Sequence, residues 1–137
     1  MAIGGDGNIW FTELAGDKIL PIKTREHNTM PTFTQRELEN ITASIFRSAG
    51  APDDLAQQVA NVLVDNHMAG HDSHGILRIP EYLNSIQDGE IVPTARPEIL
   101  QETPNSALIT GHWALGQATG LFATELATKK AKTNGVA

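Results

Sequence analysis

Cysteine is absent from this 137-residue sequence, basic residues are few, and long apolar runs are missing. Without cysteine, disulfides, zinc–thiolate centres, iron–sulfur clusters and cysteine nucleophiles are excluded. No apolar run approaches the roughly 18 residues that cross a bilayer, and the N-terminus lacks the basic and apolar segments of a signal peptide. Ten Lys and Arg against 16 Asp and Glu give a net charge of −6, which argues against a phosphate-backbone binder. We therefore expect a soluble, cytoplasmic protein with no nucleic-acid or membrane partner.

The remaining composition is that of a globular protein. Hydrophobic residues make up 40% of the chain and charged residues 19%, and the length fits one ordinary domain. The composition changes near residue 25, because residues 1–24 are rich in glycine and turn signals. Two short strands are predicted there, Ile9–Thr12 and Ile19–Ile22, which together indicate a small hairpin-like extension.

The run GGDGNIWFTELAGDKI resembles one repeat segment of the streptogramin-lyase type of β-propeller. The resemblance covers about half a blade, and no second copy of the phrase occurs. Because a blade cannot bury its faces without neighbours, we interpret residues 1–24 as a fusion remnant or a misplaced start. Met30 is the alternative start. We divide the chain into an extension and linker, residues 1–29, and a second region, residues 30–137.

The second region has helical hydrophobic periodicity from Thr34 onward. Thr34 and Glu37 form a capping box, and Gly50 ends this first helix. A second helix is predicted from Asp53 or Asp54 to about residue 69, and a third follows residues 71–75. Strands are predicted at 98–102 and 106–110, followed by a helix over 116–133. The apolar residues expected to face inward are Leu38, Ile41, Ile45 and Ala49 in the first helix, Leu55, Val59, Val62 and Leu63 in the second, and Leu121, Phe122, Leu126 and Ala127 in the last.

Side chains with useful chemistry concentrate between residues 67 and 82. Among the side chains of this segment are three histidines, an aspartate, a serine hydroxyl, an arginine and a phenol: His67, His71, His74, Asp72, Ser73, Arg78 and Tyr82. Histidine titrates near neutrality and exchanges protons at working pH. Arg78 and Tyr82 are four residues apart on a predicted helix and share one face, with His74 one turn earlier. Because the planar fork of arginine matches a carboxylate, this edge suits an acidic substrate.

Two phrases of the sequence carry a family resemblance. The first is Asp72-Ser73-His74-Gly75, followed by Arg78, Tyr82 and the run GEIVPTARP at 89–97; the second is a small-residue phrase between positions 111 and 137. At these residues the sequence closely resembles the type 2 malate/L-lactate dehydrogenase family. The resemblance covers residues 30–137 and implies an α+β, mostly helical fold, equivalent to the N-terminal portion of that family's fold.

The resemblance implies an NAD(P)-dependent oxidoreductase that interconverts a malate- or lactate-like 2-hydroxy acid and its 2-oxo acid. His74 would be the general acid and base, and Ser73 would hydrogen-bond near it. Arg78 would hold the substrate carboxylate, and Tyr82 would line the same pocket. NAD or NADP would be the cofactor. The intact family protein is expected to be a homodimer.

Several alternatives stand beside this interpretation. The family's cofactor-binding region lies mostly downstream of the second phrase, so we assign no cofactor residue and expect a truncated domain. The alternative function is therefore a catalytically inactive fragment that acts as an oligomerisation or partner-binding domain. Arg78 has the alternative of a surface salt bridge with Glu81 or Asp88.

Two histidine positions have simpler interpretations. His67 and His71 have the spacing of metal ligands, but Gly70 is expected to end the helix between them, so we predict no metal site. We expect His67 to lie at a polar helix end. His112 and Trp113 are expected to belong to a turn or to core packing.

Overall fold

In a computed structural model of the protein, the structure describes residues 31–136 and the backbone of three short strands that precede them. The strands are β1 (Ala2–Ile3), β2 (Ile9–Thr12) and β3 (Ile19–Ile22), and they pair antiparallel in the order β1-β2-β3. Ile9 is opposite Ile22 in the β2–β3 pair. The two strands predicted from the sequence are confirmed, and their connecting turns lie outside the described residues.

The chain divides into two compact units, Met1–Thr32 and Phe33–Ala137. The elements of the second unit are α1 (Gln35–Ser48), α2 (Asp53–Met68), two 3-10 turns (Asp72–His74 and Ile76–Arg78), α3 (Ile79–Gln87), β4 (Glu98–Glu102), β5 (Ala107–Thr110) and α4 (Gly116–Asn134). The unit is mostly helical with one two-stranded antiparallel sheet, so the predicted fold class is confirmed. No helix in the described part of the chain is long and apolar enough to cross a membrane.

Helix α1 begins at the predicted capping box. The Thr34 N–H donates to Oε2 of Glu37 over 2.8 Å, and the Glu37 N–H donates to Oγ1 of Thr34 over 3.3 Å. Two hydrogen bonds lower the pKa of Glu37. The larger contribution comes from the backbone N–H of Thr34 and the smaller one from its hydroxyl. The helix ends near Gly50, whose φ of +94° is the left-handed conformation that glycine adopts readily. Local chemistry therefore defines both ends of this helix.

The core of the second unit lies between α1, α2 and the start of α4. Helix α2 buries Leu55, Val59 and Leu63, as predicted, and Leu115 covers them from the start of α4. The predicted Val62 is only half-buried. Helix α1 departs from its prediction, because Ile41 is 46% exposed. The buried residues of α1 are Thr42, Ala43 and Phe46. The small side chains permit close approach to α2, and the Phe46 ring fills the space beside them.

Strands β4 and β5 form a hairpin with an irregular register. Ile99 is opposite Ile109 and Gln101 is opposite Leu108, so Leu100 is the extra residue of a bulge. The turn of this hairpin is attached to the end of α4. The Lys130 ammonium donates to the Thr103 carbonyl over 2.6 Å and lies 3.0 Å from the Glu102 carboxylate.

Helix α4 buries only its first turn. Ala118 is buried, whereas Leu121 is 38% exposed and Ala127 is also exposed, so the predicted inward face is wrong at these two positions. Helix α4 packs on α2 at its start and is held by the hairpin turn at its end. Between these contacts Phe122 and Leu126 are half-buried, whereas Leu121 and Ala127 lie on the part of α4 that remains open.

Candidate active site

A short irregular segment at the end of α2 carries the predicted catalytic residues. Gly70, with φ of +79°, turns the chain after α2, and the His71 N–H donates to the Asn66 carbonyl over 2.8 Å. The His74 N–H then donates to the His71 carbonyl over 2.9 Å, and the Gly75 N–H to that of Asp72 over 3.1 Å. Backbone hydrogen bonds thus close the turn that presents Ser73 and His74.

Ser73 and His74 are in direct contact. Oγ of Ser73 lies 3.0 Å from Nδ1 of His74, and both residues are exposed. In one neutral tautomer Nδ1 accepts a hydrogen bond from the Ser73 hydroxyl and Nε2 carries the proton. In the other tautomer Nδ1 donates to the Ser73 oxygen and Nε2 has a free lone pair. No described residue hydrogen-bonds to Nε2 of His74. The Ser73 contact therefore engages one ring nitrogen and leaves the other available for proton exchange.

Arg78 lies at the N-terminal cap position of α3. Its Nη2 donates to Oε1 of Glu81 over 2.7 Å, which is one of the two salt bridges considered from the sequence. The Arg78 side chain is 45% exposed and that of Glu81 is 58% exposed. Exposed ion pairs contribute about 0–1 kcal/mol. A carboxylate ligand can replace Glu81 on this guanidinium at little cost in free energy.

Tyr82 is half-buried and belongs partly to the core. Its ring meets that of Phe46 edge to face, with the ring centroids 6.2 Å apart. The Gln117 side-chain amide donates to its hydroxyl oxygen over 2.7 Å. This contact was not predicted from the sequence, because Gln117 lies within the small-residue phrase at 111–137 and no role was assigned to it. A polar residue in the buried first turn of α4 was the available signal.

The predicted residues are arranged as two groups along the chain. Within the described residues, no hydrogen bond or ion pair joins His74 directly to Arg78 or Tyr82. Gly75, with extended backbone angles, separates the two 3-10 turns, so His74 and Arg78 do not follow each other along one helix face. The placement of His74 along the same edge as Arg78 and Tyr82 stays a prediction.

His67 lies in the last turn of α2, as expected for a polar helix end. Its Nδ1 is 3.0 Å from Oδ1 of Asp72, although the direction between the two atoms does not make a hydrogen bond. The His67 side chain is 30% exposed. Across residues 31–136, no group of three or more ligating side chains is arranged to hold a metal ion.

Arg96 and His112 form ion pairs elsewhere in the second unit. Arg96 donates two hydrogen bonds to the Asp54 carboxylate, over 2.7 and 2.9 Å. The guanidinium lowers the pKa of Asp54, chiefly through these side-chain hydrogen bonds. His112 Nε2 lies 3.0 Å from the Glu98 carboxylate. His112 and Trp113 occupy a turn with φ of 49° and 60°, and Trp113 is 80% exposed, which excludes core packing for the indole.

The described residues of the second unit lack the parallel strands that precede the glycine-rich loop of the common dinucleotide folds. Glycines that open the way to a phosphate normally follow a strand and precede a helix, as Gly111 and Gly116 do here between β5 and α4. At Gly111 that space is filled, because an added Cβ would lie 2.7 Å from Oγ1 of Thr119. The neighbouring sheet is an isolated antiparallel hairpin, unlike the parallel sheets of dinucleotide folds.

The model of one protein family, described as malate/L-lactate dehydrogenase, matches residues 33–137. The chain belongs to the malate/L-lactate dehydrogenase family. This confirms the resemblance predicted for residues 30–137. The propeller-like phrase of residues 1–24 lies outside the matched range, and the match offers it no support.

Individual members of the malate/L-lactate dehydrogenase family agree with this assignment. The chain is 39% identical over 98 residues to L-sulfolactate dehydrogenase of Methanocaldococcus jannaschii, covering 72% of this chain and 28% of that protein. It is 32% identical to hydroxycarboxylate dehydrogenase B of Escherichia coli O157:H7, covering 77% and 29%. The structure of malate dehydrogenase from Pyrococcus horikoshii OT3 superposes with a TM-score of 0.71 and 33% identity, covering 74% and 29%. The chain therefore spans less than a third of the length of these relatives.

Proposed function

We propose that this chain supplies the proton-transfer and carboxylate-binding residues of a dehydrogenase that interconverts a 2-hydroxy acid and its 2-oxo acid. The contact of Ser73 with His74, 3.0 Å long and presented on an exposed turn, is the observation that carries the proposal. Relatives named for sulfolactate, malate and hydroxycarboxylates support a substrate with a carboxylate beside the reacting carbon.

His74 is the proposed acid and base of this reaction. During reduction it gives a proton to the substrate oxygen, and during oxidation it removes that proton, in both directions through Nε2. Ser73 fixes the ring orientation by its hydrogen bond to Nδ1. NADH or NADPH would supply the hydride during reduction, and NAD or NADP would accept it during oxidation; we assign no residue to the cofactor.

Arg78 is the proposed carboxylate clamp. Its exposed pair with Glu81 is the interaction that a substrate carboxylate would displace. Tyr82 is the proposed pocket residue, and its hydroxyl keeps a proton to donate because it accepts from Gln117. The whole protein is proposed to be a cytoplasmic homodimer, with residues 1–29 as an extension that resembles a propeller repeat.

The alternative function is a catalytically inactive domain that binds a partner chain or a second copy. The open face of α4, with Leu121 and Ala127 exposed, favours this alternative. Apolar faces left uncovered in a folded unit are typical of interfaces. The two functions differ in whether the chain exchanges protons with a bound acid.

Turnover of a panel of 2-oxo acids with NADH and NADPH tests the proposal, with cofactor binding followed by fluorescence. We expect His74→Ala to lower turnover by at least about 100-fold, the usual contribution of a general acid. His71→Ala is the matched control, since it removes an exposed histidine of the same segment. We expect Arg78→Lys to raise KM for the acid, because lysine cannot bind bidentately.

The outcomes separate the two functions. Normal turnover of His74→Ala would remove His74 from the acid role, and an unchanged KM of Arg78→Lys would remove the clamp. A folded chain that neither binds NAD(P)H nor turns over any acid, and that dimerises, would favour the alternative function.

A further inference from the structure

The turn that carries Ser73 and His74 rests on one residue of α2. At its first position, the Asp72 carboxylate lies 3.0 Å from Nδ1 of His67. At the other end of the turn, Gly75 is buried against His67. A Cβ added to Gly75 would lie 2.9 Å from Cβ, 3.0 Å from Cα and 3.1 Å from N of His67. Both ends of the Asp72–Gly75 turn therefore contact His67.

We propose that His67 is a positioning residue for His74, because it holds the turn at both ends. The inference rests on the proposed role of His74 as acid and base. His67 contacts neither substrate nor the reacting atoms in this proposal and acts only through Asp72 and Gly75. Nδ1 of His67 is buried and has no hydrogen-bond partner among the described residues. The Asp72 carboxylate, 3.0 Å away, is the charged group beside it.

The role of Gly75 follows from space and not from backbone strain. Its φ of −96° is open to any residue, so glycine is required only because the His67 backbone approaches so closely. The atoms that a Cβ would meet are Cβ and backbone atoms, which cannot move aside as the end of a flexible side chain can. Any side chain at position 75 would therefore push the turn away from α2.

Misplacing a general acid by about 1 Å costs roughly 100-fold in rate. A looser turn still presents the same side chains to substrate, so binding should change much less than turnover. We therefore expect His67→Ala to lower kcat by about 10- to 100-fold with little change in KM. Loss of a merely structural contact would lower stability and leave kcat of the folded fraction unchanged.

The test records the His74 ring signals by NMR in protein that carries isotope-labelled histidine. In His67→Ala we expect these signals to shift and broaden, and in Gly75→Ala to do the same. His67→Asn should restore the wild-type signals, because its amide places a polar group beside the Asp72 carboxylate as Nδ1 of His67 does. His71→Ala is the matched control and should leave them in place. If His67→Ala does not fold, Asp72→Ala removes the same contact from its exposed side.

Unchanged His74 signals in both His67→Ala and Gly75→Ala would overturn the proposal. So would a fall in melting temperature with neither the signals nor kcat altered. The failure of the proposed function looks different: His74→Ala would then turn over normally, while the ring signals would still show whether His67 positions the turn.

Discussion

Replacing Tyr82 by Phe removes one oxygen atom and takes away the partner of the Gln117 amide. Oε1 of Gln117 is already buried without a partner among the described residues, so the variant leaves the whole amide unsatisfied. Burying an unsatisfied polar group costs about 1–3 kcal/mol, and a net hydrogen bond contributes about 0.5–1.5 kcal/mol. Because both side chains are only partly buried, we expect Tyr82→Phe to lower the free energy of unfolding by about 1 kcal/mol.

A double-mutant cycle isolates this contact from the rest of the Tyr82 environment. Gln117→Met removes the amide at similar length, and the edge-to-face packing of ring 82 on Phe46 remains in every variant. In the double variant neither polar group is left without its partner. We therefore expect its cost to be smaller than the sum of the single costs, with a coupling energy of about 1 kcal/mol.

Urea unfolding followed by far-ultraviolet circular dichroism measures the cycle. For a unit of this size, 1 kcal/mol corresponds to a change in Tm of about 4 °C, which a thermal scan resolves. The m-value should stay constant, since the exposed surface on unfolding does not change. Single costs that simply add in the double variant would refute the reasoning, because the hydrogen bond would then contribute nothing.

Two further predictions concern the core and the surface. Leu115→Ala should lower the free energy of unfolding by about 2–5 kcal/mol, because Leu115 is 1% exposed in the core. Chemical unfolding measures this loss, and a value below about 1 kcal/mol would contradict the packing. Asp54→Asn should lower Tm at neutral pH, and this difference should shrink and vanish as pH falls below the ordinary range of an aspartate. Arg96 lowers the folded-state pKa of Asp54, so the stabilisation is present above the unfolded-state pKa and disappears as pH falls through the folded-state value. A Tm difference independent of pH would exclude the pair as its cause.

Features set by neighbouring residues were predictable from the sequence. The capping box of Thr34 and Glu37 and the strands of the hairpin depend on contacts within a few positions, and all appear as expected. Helix α2 was largely predictable for a related reason, since Leu55, Val59 and Leu63 fall on one helical face. Its buried face then follows from the periodicity alone.

Features that depend on distant residues were not predictable. In α1 the branched residue Ile41 fits the apolar period but is 46% exposed. The helix instead buries Ala43 and Phe46, and which face is buried depends on the packing against α2. The contact between Tyr82 and Gln117 joins positions 35 apart. No periodic pattern within either helix indicates such a contact.

The candidate site shows the same division. The Ser73–His74 pair is local, and its residues were identified from a short phrase. The dependence of that pair on His67 is not visible in the phrase, because the close approach at Gly75 is a property of the folded backbone. The sequence places a glycine there without indicating which atoms require it.

The two ends of helix α4 are held by different kinds of contact. Its first turn is fixed by Leu115 and Ala118 in the core, whereas its last turns are held through Lys130 to a surface hairpin. Buried apolar contacts open only with the whole unit, and exposed polar contacts open locally. We therefore expect amides near Ala118 to be better protected from hydrogen exchange than those near Lys130. The end of α4 would then unfold as a weaker local unit within one continuous helix.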